Sequence, residues 1–509
     1  MRHVALLACI WFLGALVTWG GCGSDDGDGT EEPTVDVSPP NNVQNLAAKV
    51  TTRSRVILTW TAPGDDGSAG IATQYDLRYA IFPITEDNWE TATAVTTATP
   101  HPAGSQEQIA VTGLQPQTEY HFALKAADEA DNWSQLSNVL TAATNLVWYV
   151  TPDGSGDAPT IRSACVDSAT RGDEILVAPG RYTWSNQGDG NSNYGMIYFP
   201  RDTTGFLLRS EDGAEATIID AEGQGRVFFL LGITPGSTSN VTIDGFTITG
   251  GDTRGSAYED SSGAGLVFHL CSPTLRNCVF KNNFAFVGGG LCQAGVGHAR
   301  VENCVFEDNQ AEVGAGIALF NSYENSTISG CVIRDNHATS AGGGLFAYNI
   351  VFTLENSIIY ANQSDDKGGG LSVSSIQPST VTGCTIAENQ ATWGGGIRLA
   401  GSSDLTVTNT ILAYATGGGA VSTASAAASL TVGCSVLWGN LGGDGSNLPA
   451  GTLRLPGVIV QDPKFCGGTG SFDYRLQNDS PCAPGQHPQG IDCGLIGALS
   501  VGCGTAKWR

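Results

Sequence analysis

Five stretches decide the fold: LRNCVFKNN (275–283), VENCVFEDN (301–309), ISGCVIRDN (328–336), LENSIIYAN (354–362) and VTGCTIAEN (381–389). Each ends on an asparagine, giving Asn283, Asn309, Asn336, Asn362 and Asn389. Two weaker copies come after them, VTNTILAYA (407–415) and VGCSVLWGN (432–440), and the spacing stays between 25 and 27 residues. A glycine cluster stands shortly after each of the first six copies, as in Gly288–Gly290 and Gly342–Gly344. Three residues before the asparagine stand Phe280, Phe306, Ile333, Ile359 and Ile386; five before stand Cys278, Cys304, Cys331, Ser357 and Cys384. Residues two apart on a strand share a face, so both columns point inward. Cysteine then serves as a small buried hydrophobe with a free thiol. The eighth residue before the asparagine, Leu275 and its equivalents, is apolar but out of phase. That predicts a bulge or small bend near Asn277.

A unit this short, without helical periodicity, cannot bury its apolar side alone; stacked copies can, which makes a solenoid. Parallel stacking separates equivalent residues by roughly 4.8 Å, so the visible coils span on the order of 35 to 40 Å. The stacked asparagines are expected to hydrogen-bond along the axis and to take left-handed turn geometry. The glycines are expected to supply positive φ at another corner.

The alternation of GGG[IL] with [FI]xxN resembles the repeats of polymorphic outer-membrane proteins. More broadly it resembles right-handed parallel β-helix proteins of the pectate-lyase-like superfamily. The resemblance runs from about Trp148 to Ala498 and implies architecture rather than chemistry, because that fold hosts lyases, hydrolases, esterases and adhesins alike.

Upstream, VILTWTAP carries Trp60, and LQPQTEYHFALKAAD carries Tyr120. These segments resemble a fibronectin type III domain, whose late strand bears a tyrosine corner. The resemblance makes Trp60 and Tyr120 core residues. The chain is therefore expected to be all-β: a fibronectin type III β-sandwich over 39–144, then a right-handed parallel β-helix solenoid over 148–503. The helix is expected to carry an N-terminal cap, with a short amphipathic helix at Pro159–Ala169, and a loop-rich C-terminal cap.

The first 21 residues read as an export signal: a basic start, an apolar run, then Gly20–Gly21–Cys22. Small residues before a cysteine resemble a bacterial lipoprotein site and imply lipidation at Cys22. Residues 22–38 have the acidic, proline-containing composition of a flexible tether. An envelope location is expected, as an outer-membrane lipoprotein or at the cell surface, with secretion as the alternative. No later segment has 18 uninterrupted apolar residues, so no transmembrane helix is expected in the mature chain. A net charge of −25 with only 24 basic residues argues against nucleic-acid binding. Cys466, Cys482, Cys493 and Cys503 lie in loop-rich sequence and are the expected disulfide formers, in a pairing the sequence leaves open.

Two chemistries compete for the solenoid. Stacked coils place Asp308 near Asp335, with Arg334 beside them. Such a pair suits calcium, and a calcium-assisted lyase would add a base. Against this stand the missing motifs: no GHG, no RxPxxR and no QDT as found in hydrolases, lyases and esterases of similar fold. Glu259 and Asp260, in a segment that departs from the repeat, are further candidates; Arg171–Gly172–Asp173 spells an adhesion tripeptide, but its place between the cap helix and a strand reads as an ordinary turn. The expected function is a noncatalytic surface protein that is adhesive or glycan-binding through one face of the helix. Its expected partner is an extracellular glycan or surface protein. No cofactor is expected, calcium being the one cation the site would suit. The alternative is a polysaccharide lyase or glycoside hydrolase acting on an acidic glycan.

Overall fold

The computed structural model describes residues 36–168, 174–187, 195–199, 205–232, 241–255, 261–444, 448, 451–467 and 473–503. The signal, Cys22, most of the tether, the Arg171–Gly172–Asp173 tripeptide and the Glu259–Asp260 pair lie outside these residues.

Seven strands build the first unit: β1 Ala47–Thr51, β2 Arg55–Thr61, β3 Gln74–Ala80, β4 Thr93–Val95, β5 Gln106–Thr112, β6 Glu119–Ala127 and β7 Leu140–Ala143. They form two antiparallel sheets, β1-β2-β5 and β4-β3-β6-β7. Alternation along β2 and β6 sends Trp60 and Tyr120 into the core between them, with Leu77 and Phe122. Trp60 meets Tyr75 edge-on at 5.2 Å between ring centroids. The Tyr120 hydroxyl accepts the Gln115 N–H at 2.9 Å, which closes the tyrosine corner.

This sandwich does not hang free of the solenoid. The chain continues through β8 (Trp148–Val150), α1 (Ile161–Ser168) and β9 (Glu174–Val177), and β8 and β9 make a platform on which β1 and β2 rest. Val50 and Ile57 pack on Tyr149, Leu176 and Ala178. Arg55 is buried in the joint, donating to the Ser155 carbonyl at 2.5 Å, with Asp157 3.7 Å from its Nε. Removing one member of a buried ion pair strands the other. Arg55→Ala is therefore expected to cost about 3 kcal/mol in urea denaturation, with Arg55→Lys recovering part. A loss below about 0.5 kcal/mol would show that the joint does not depend on it.

The helix α1 turns Ile161, Ala164 and Cys165 into the core at the first end of the solenoid. Beyond it each coil repeats one plan. The coil from Leu291 runs through a first face (Leu291–Ala294), a second (Arg300–Glu302), a third (Val305–Glu307) and a short arm (Gln310–Val313) before the next begins at Ile317. Pairing between coils is parallel and in register: Leu275 with Val301 and Ile328, Phe280 with Phe306 and Ile333. The third faces form one ten-stranded parallel sheet. Phe280 and Phe306, both fully buried, stack at 4.8 Å with planes 4° apart, the spacing of the strands themselves.

Of the two expectations for the out-of-phase column, a bulge or a small bend near Asn277, the structure shows the bend. Asn277, Asn303, Gly330, Asn356, Gly383 and Asn409 all have φ between 48° and 61°. They form a left-handed corner that turns the second face into the third and resets the alternation. The asparagine corner does differ from expectation. The left-handed residue is the one before each asparagine, namely Asn282, Asp308, Asp335, Ala361 and Glu388. The asparagines themselves are buried and hydrogen-bonded. From Asn283 to Asn362 each Nδ2 donates to the next Oδ1, as from Asn309 to Asn336 at 2.9 Å and Asn336 to Asn362 at 2.9 Å.

The glycine clusters are needed for more than positive φ. Gly314 has φ 63°, but a Cβ on Gly316 would lie 2.5 Å from the Gly344 carbonyl oxygen of the next coil. The inward cysteines also do more than fill space. The Cys278 thiol lies 3.2 Å from the Arg276 carbonyl, and Ser357 and Thr410 hydroxyls make the same bond at 2.7 and 2.8 Å. Any small donor suits that column, which explains its mixture of cysteine, serine and threonine.

The tail corrects two expectations. Cys466 pairs with Cys503, but Cys493 pairs with Cys434, a member of the repeat, and Cys482 is a free buried thiol. Nor does the tail only seal an end. Phe465, Tyr474, Leu476, Ile496 and Leu499 lie along the outside of the third face, packed on Ile358, Ala387, Ile411 and Val436.

Candidate functional site

The structure brings Asp308, Arg334 and Asp335 together where the third face meets the asparagine corner. Arg334 obeys strand alternation in pointing outward and is ion-paired to Glu307 on the preceding coil and to Asp335 at 3.1 Å. Burial raises the Asp335 carboxyl above the usual carboxylate range; Arg334 opposes that shift and Asp308 adds to it. Tyr360 is next in the outward column, and the tail brings the Tyr474 ring to 5.2 Å from it. Among the described residues no three Asp, Glu, His or Cys side chains converge as a metal site would require. The arrangement is a charge ladder in which Arg334 is shared between two acids, Glu307 and Asp335.

The cysteines Cys278, Cys304, Cys331 and Cys384 are fully enclosed. Burial pushes the thiols of Cys331 and Cys384 up to about 12, far from the thiolate that nucleophilic chemistry needs.

A second surface was not found from sequence. Continuing the alternation past each glycine cluster sends the second and fourth residues of the first face outward. The second column reads Phe229, Val267, Cys292, Ala318, Phe346, Ser372, Arg398 and Ser422. The fourth column supplies Phe320 and Tyr348, paired across neighbouring coils. Phe320 lies 5.5 Å from Phe346 and 6.3 Å from Tyr348, ring to ring. Further along, Trp393 on the short arm is 54% exposed, and Tyr348 is 46% exposed. Phe320, Phe346 and Tyr348 thus lie along the outside of one face, partly open to solvent, on a parallel sheet, and Trp393 stands on the arm of a later coil. Such rings offer flat apolar platforms with polar edges. The sequence signal was there in GAGIALFN and GGGLFAYN, with aromatics four residues beyond the first glycine cluster and two and four beyond the second.

Comparison with known proteins divides along the two architectures. Residues 38–142 match the fibronectin type III domain family, and residues 229–350 and 337–445 match the right handed beta helix region. The chain joins a fibronectin type III domain to a right-handed parallel β-helix. Calcium-activated chloride channel regulator 1 of Equus caballus is 29% identical over 143 residues, covering 27% of this chain and 15% of that protein. The Homo sapiens protein of the same name is 33% identical over 117 residues, covering 21% of this chain and 12% of that one. Chitinase Chi52 of Paenibacillus xylanexedens is 32% identical over 120 residues, covering 24% of this chain and 19% of the enzyme. The chain thus spans less than a fifth of the length of each of these relatives. Among solved structures, a fibronectin type III domain from human KIAA0970 protein shares 19% identity, covering 24% of this chain and 88% of that one, with a TM-score of 0.17. No helix among the described residues is long and apolar enough to cross a membrane.

Proposed function

We propose that this chain is a noncatalytic, exported or envelope-associated surface protein that binds glycan through the outer side of the first β-helix face. The aromatic row of Phe320, Phe346 and Tyr348 on that face, with Trp393 on the short arm further along, carries this reading. Sugar rings present flat C–H faces that stack on such platforms, and strands stacked at fixed spacing hold the platforms in line. In the same reading Cys22 is the lipid-bearing residue, residues 22–38 form the tether, and the type III domain is a rigid base for the rod. One relative is a chitinase, which accords with a carbohydrate-rich setting.

The test is a glycan array with the full chain, then titration of whichever oligosaccharide binds. Tyr348→Ala and Trp393→Ala are each expected to weaken binding about tenfold, or about 1.4 kcal/mol, with the melting temperature unchanged. Undiminished binding in the double variant would move the site off this face.

The second reading, a lyase or hydrolase at Asp308, Arg334 and Asp335, is favoured by one observation: the burial-raised Asp335 carboxyl beside a fixed arginine. A screen on acidic polysaccharides with and without calcium separates the two. Product formation abolished by Asp308→Ala would overturn the noncatalytic reading.

A further inference from the structure

The buried column of the second face that carries Leu275 continues through Val381, Val407 and Val432, none of them more than 1% exposed. The next member breaks it. Leu453–Arg454 is the last strand of that face; it pairs in parallel with Ser429–Gly433 and sets Arg454 opposite Val432. Arg454 stands exposed, in no ion pair among the described residues, between Leu453 at 58% and Leu455 at 41% exposure. The Leu455 N–H is used on the Val432 carbonyl at 2.7 Å, and Pro456 after it has no N–H to offer a neighbour. A column that is valine or leucine coil after coil thus ends on an unpaired charge.

The two ends of the rod are finished differently. At the first, α1 lays Ile161, Ala164 and Cys165 over the core. At the last, Leu448 and Val458 pack against the core, but Leu453–Arg454 has a strand partner on one side only among the described residues. Such an edge is a template for another strand. The end of a second rod fits it best, since it presents the same strand edge between the same apolar flanks. With the first end covered, the remaining match is last end against last end, two copies related by a two-fold axis. An axis through the middle of this short strand sets each Arg454 against its own counterpart, two cations with no acid between them.

We propose that the open edge at 453–455 is a self-association surface whose partner is a second copy of this chain, and that Arg454 and Pro456 keep it closed, so that the rod stays single. Like charges brought together in an interface oppose association, and a proline on an edge strand removes a rung of the ladder. Without the charge the two strands pair antiparallel and cover Leu453 and Leu455. The assembly then stops at two, because α1 leaves no second edge to extend it.

Sedimentation velocity on the full chain at about 100 µM tests this. The wild type is expected to be a monomer. Arg454→Val is expected to dimerise at least about tenfold more tightly, and adding Pro456→Val to tighten the dimer again. Arg454→Glu alone is expected to stay monomeric, because it again sets like charges together, yet to associate with the wild type more tightly than either does with itself. The strand is exposed, so these variants are expected to keep the wild-type melting temperature. Leu453→Asp added to Arg454→Val is expected to restore the monomer, which ties association to this edge rather than to misfolding. A wild type that is already dimeric overturns the proposal, as does an Arg454→Val variant that stays monomeric. So does growth beyond the dimer, or a mixture of Arg454→Glu with wild type no more associated than its components.

Discussion

Asn336→Ala is expected to cost about 4 kcal/mol and to strip hydrogen-exchange protection from the coils on either side. The side chain is fully buried and does four things at once. Its Oδ1 accepts the Asn309 backbone N–H at 3.0 Å and the Asn309 Nδ2 at 2.9 Å. Its Nδ2 donates to the Phe306 carbonyl at 2.9 Å and to Asn362 Oδ1 at 2.9 Å. Alanine leaves two donors of Asn309 and one carbonyl of the preceding coil without partners and without water. Each such group costs about 1 to 3 kcal/mol, and the Asn362 oxygen keeps its second donor, so the lower half of the summed range is the expectation. Aspartate at the same place repairs only the acceptor half and adds a buried charge, so it is expected to be no better than alanine. The measurement is exchange at the amides of Phe306, Asn309 and Asn362, with urea denaturation for the total. A loss under about 1 kcal/mol would mean that the ladder is incidental to the stack.

Much of this architecture was legible because a solenoid writes its fold into a period. Phe280, Phe306 and Ile333 could be placed on one buried column from spacing alone, and the register observed between coils puts them there. The aromatic plug of the sandwich was readable through the resemblance of the Trp60 and Tyr120 segments to a fibronectin type III domain, and both residues are buried. What the sequence hid was conformation at single residues and contacts between distant ones. The asparagine column suggested left-handed turns, but the buried ladder takes those side chains and passes the positive φ to Asp308 and Asp335, which any residue tolerating it can fill. The aromatic row was hidden for another reason. Its members are two and four residues past a glycine corner, and an alternation counted back from the asparagine does not carry through that corner. Asp308, Arg334 and Asp335 were placed together from the stacking, and they are together. Their pairing with Glu307 and their nearness to Tyr474 depend on the outward column and on where the tail lies, and the period encodes neither.

The tail supplies the other large effect. Deleting residues 462–509 is expected to yield a chain that binds a hydrophobic dye and associates, although the coils up to Ile333 stay folded. The outward residues of the third face change character along the rod, from Lys281, Glu307 and Arg334 to Tyr360, Ala387, Ala413 and Trp438. Their neighbours Ile411 and Val436 are fully buried under the tail. Uncovered, they form a contiguous apolar strip on a parallel sheet, the kind of surface that recruits other chains. Two crosslinks hold the cover in place. The bond from Cys434 to Cys493 ties the tail to the last full coil across 59 residues; the bond from Cys466 to Cys503 closes 37 residues within the tail. Gly457 makes room for the first, since a Cβ there would lie 2.6 Å from the Cys493 sulfur. Loop closure of that length restricts the unfolded tail by about 4 kcal/mol. Cys434→Ser with Cys493→Ser is therefore expected to loosen the cover without removing it. Dye binding should rise at moderate urea, and the amides of Ile411 and Val436 should exchange before those of Phe280. Bonds across the cover, such as Gly497 N–H to the Asn409 carbonyl at 2.7 Å, limit that opening in water. Equal protection of Ile411 and Phe280 in the double variant would show that packing alone secures the tail. A soluble, dye-silent deletion would show instead that the strip was never a liability, and that the tail has some purpose other than covering it.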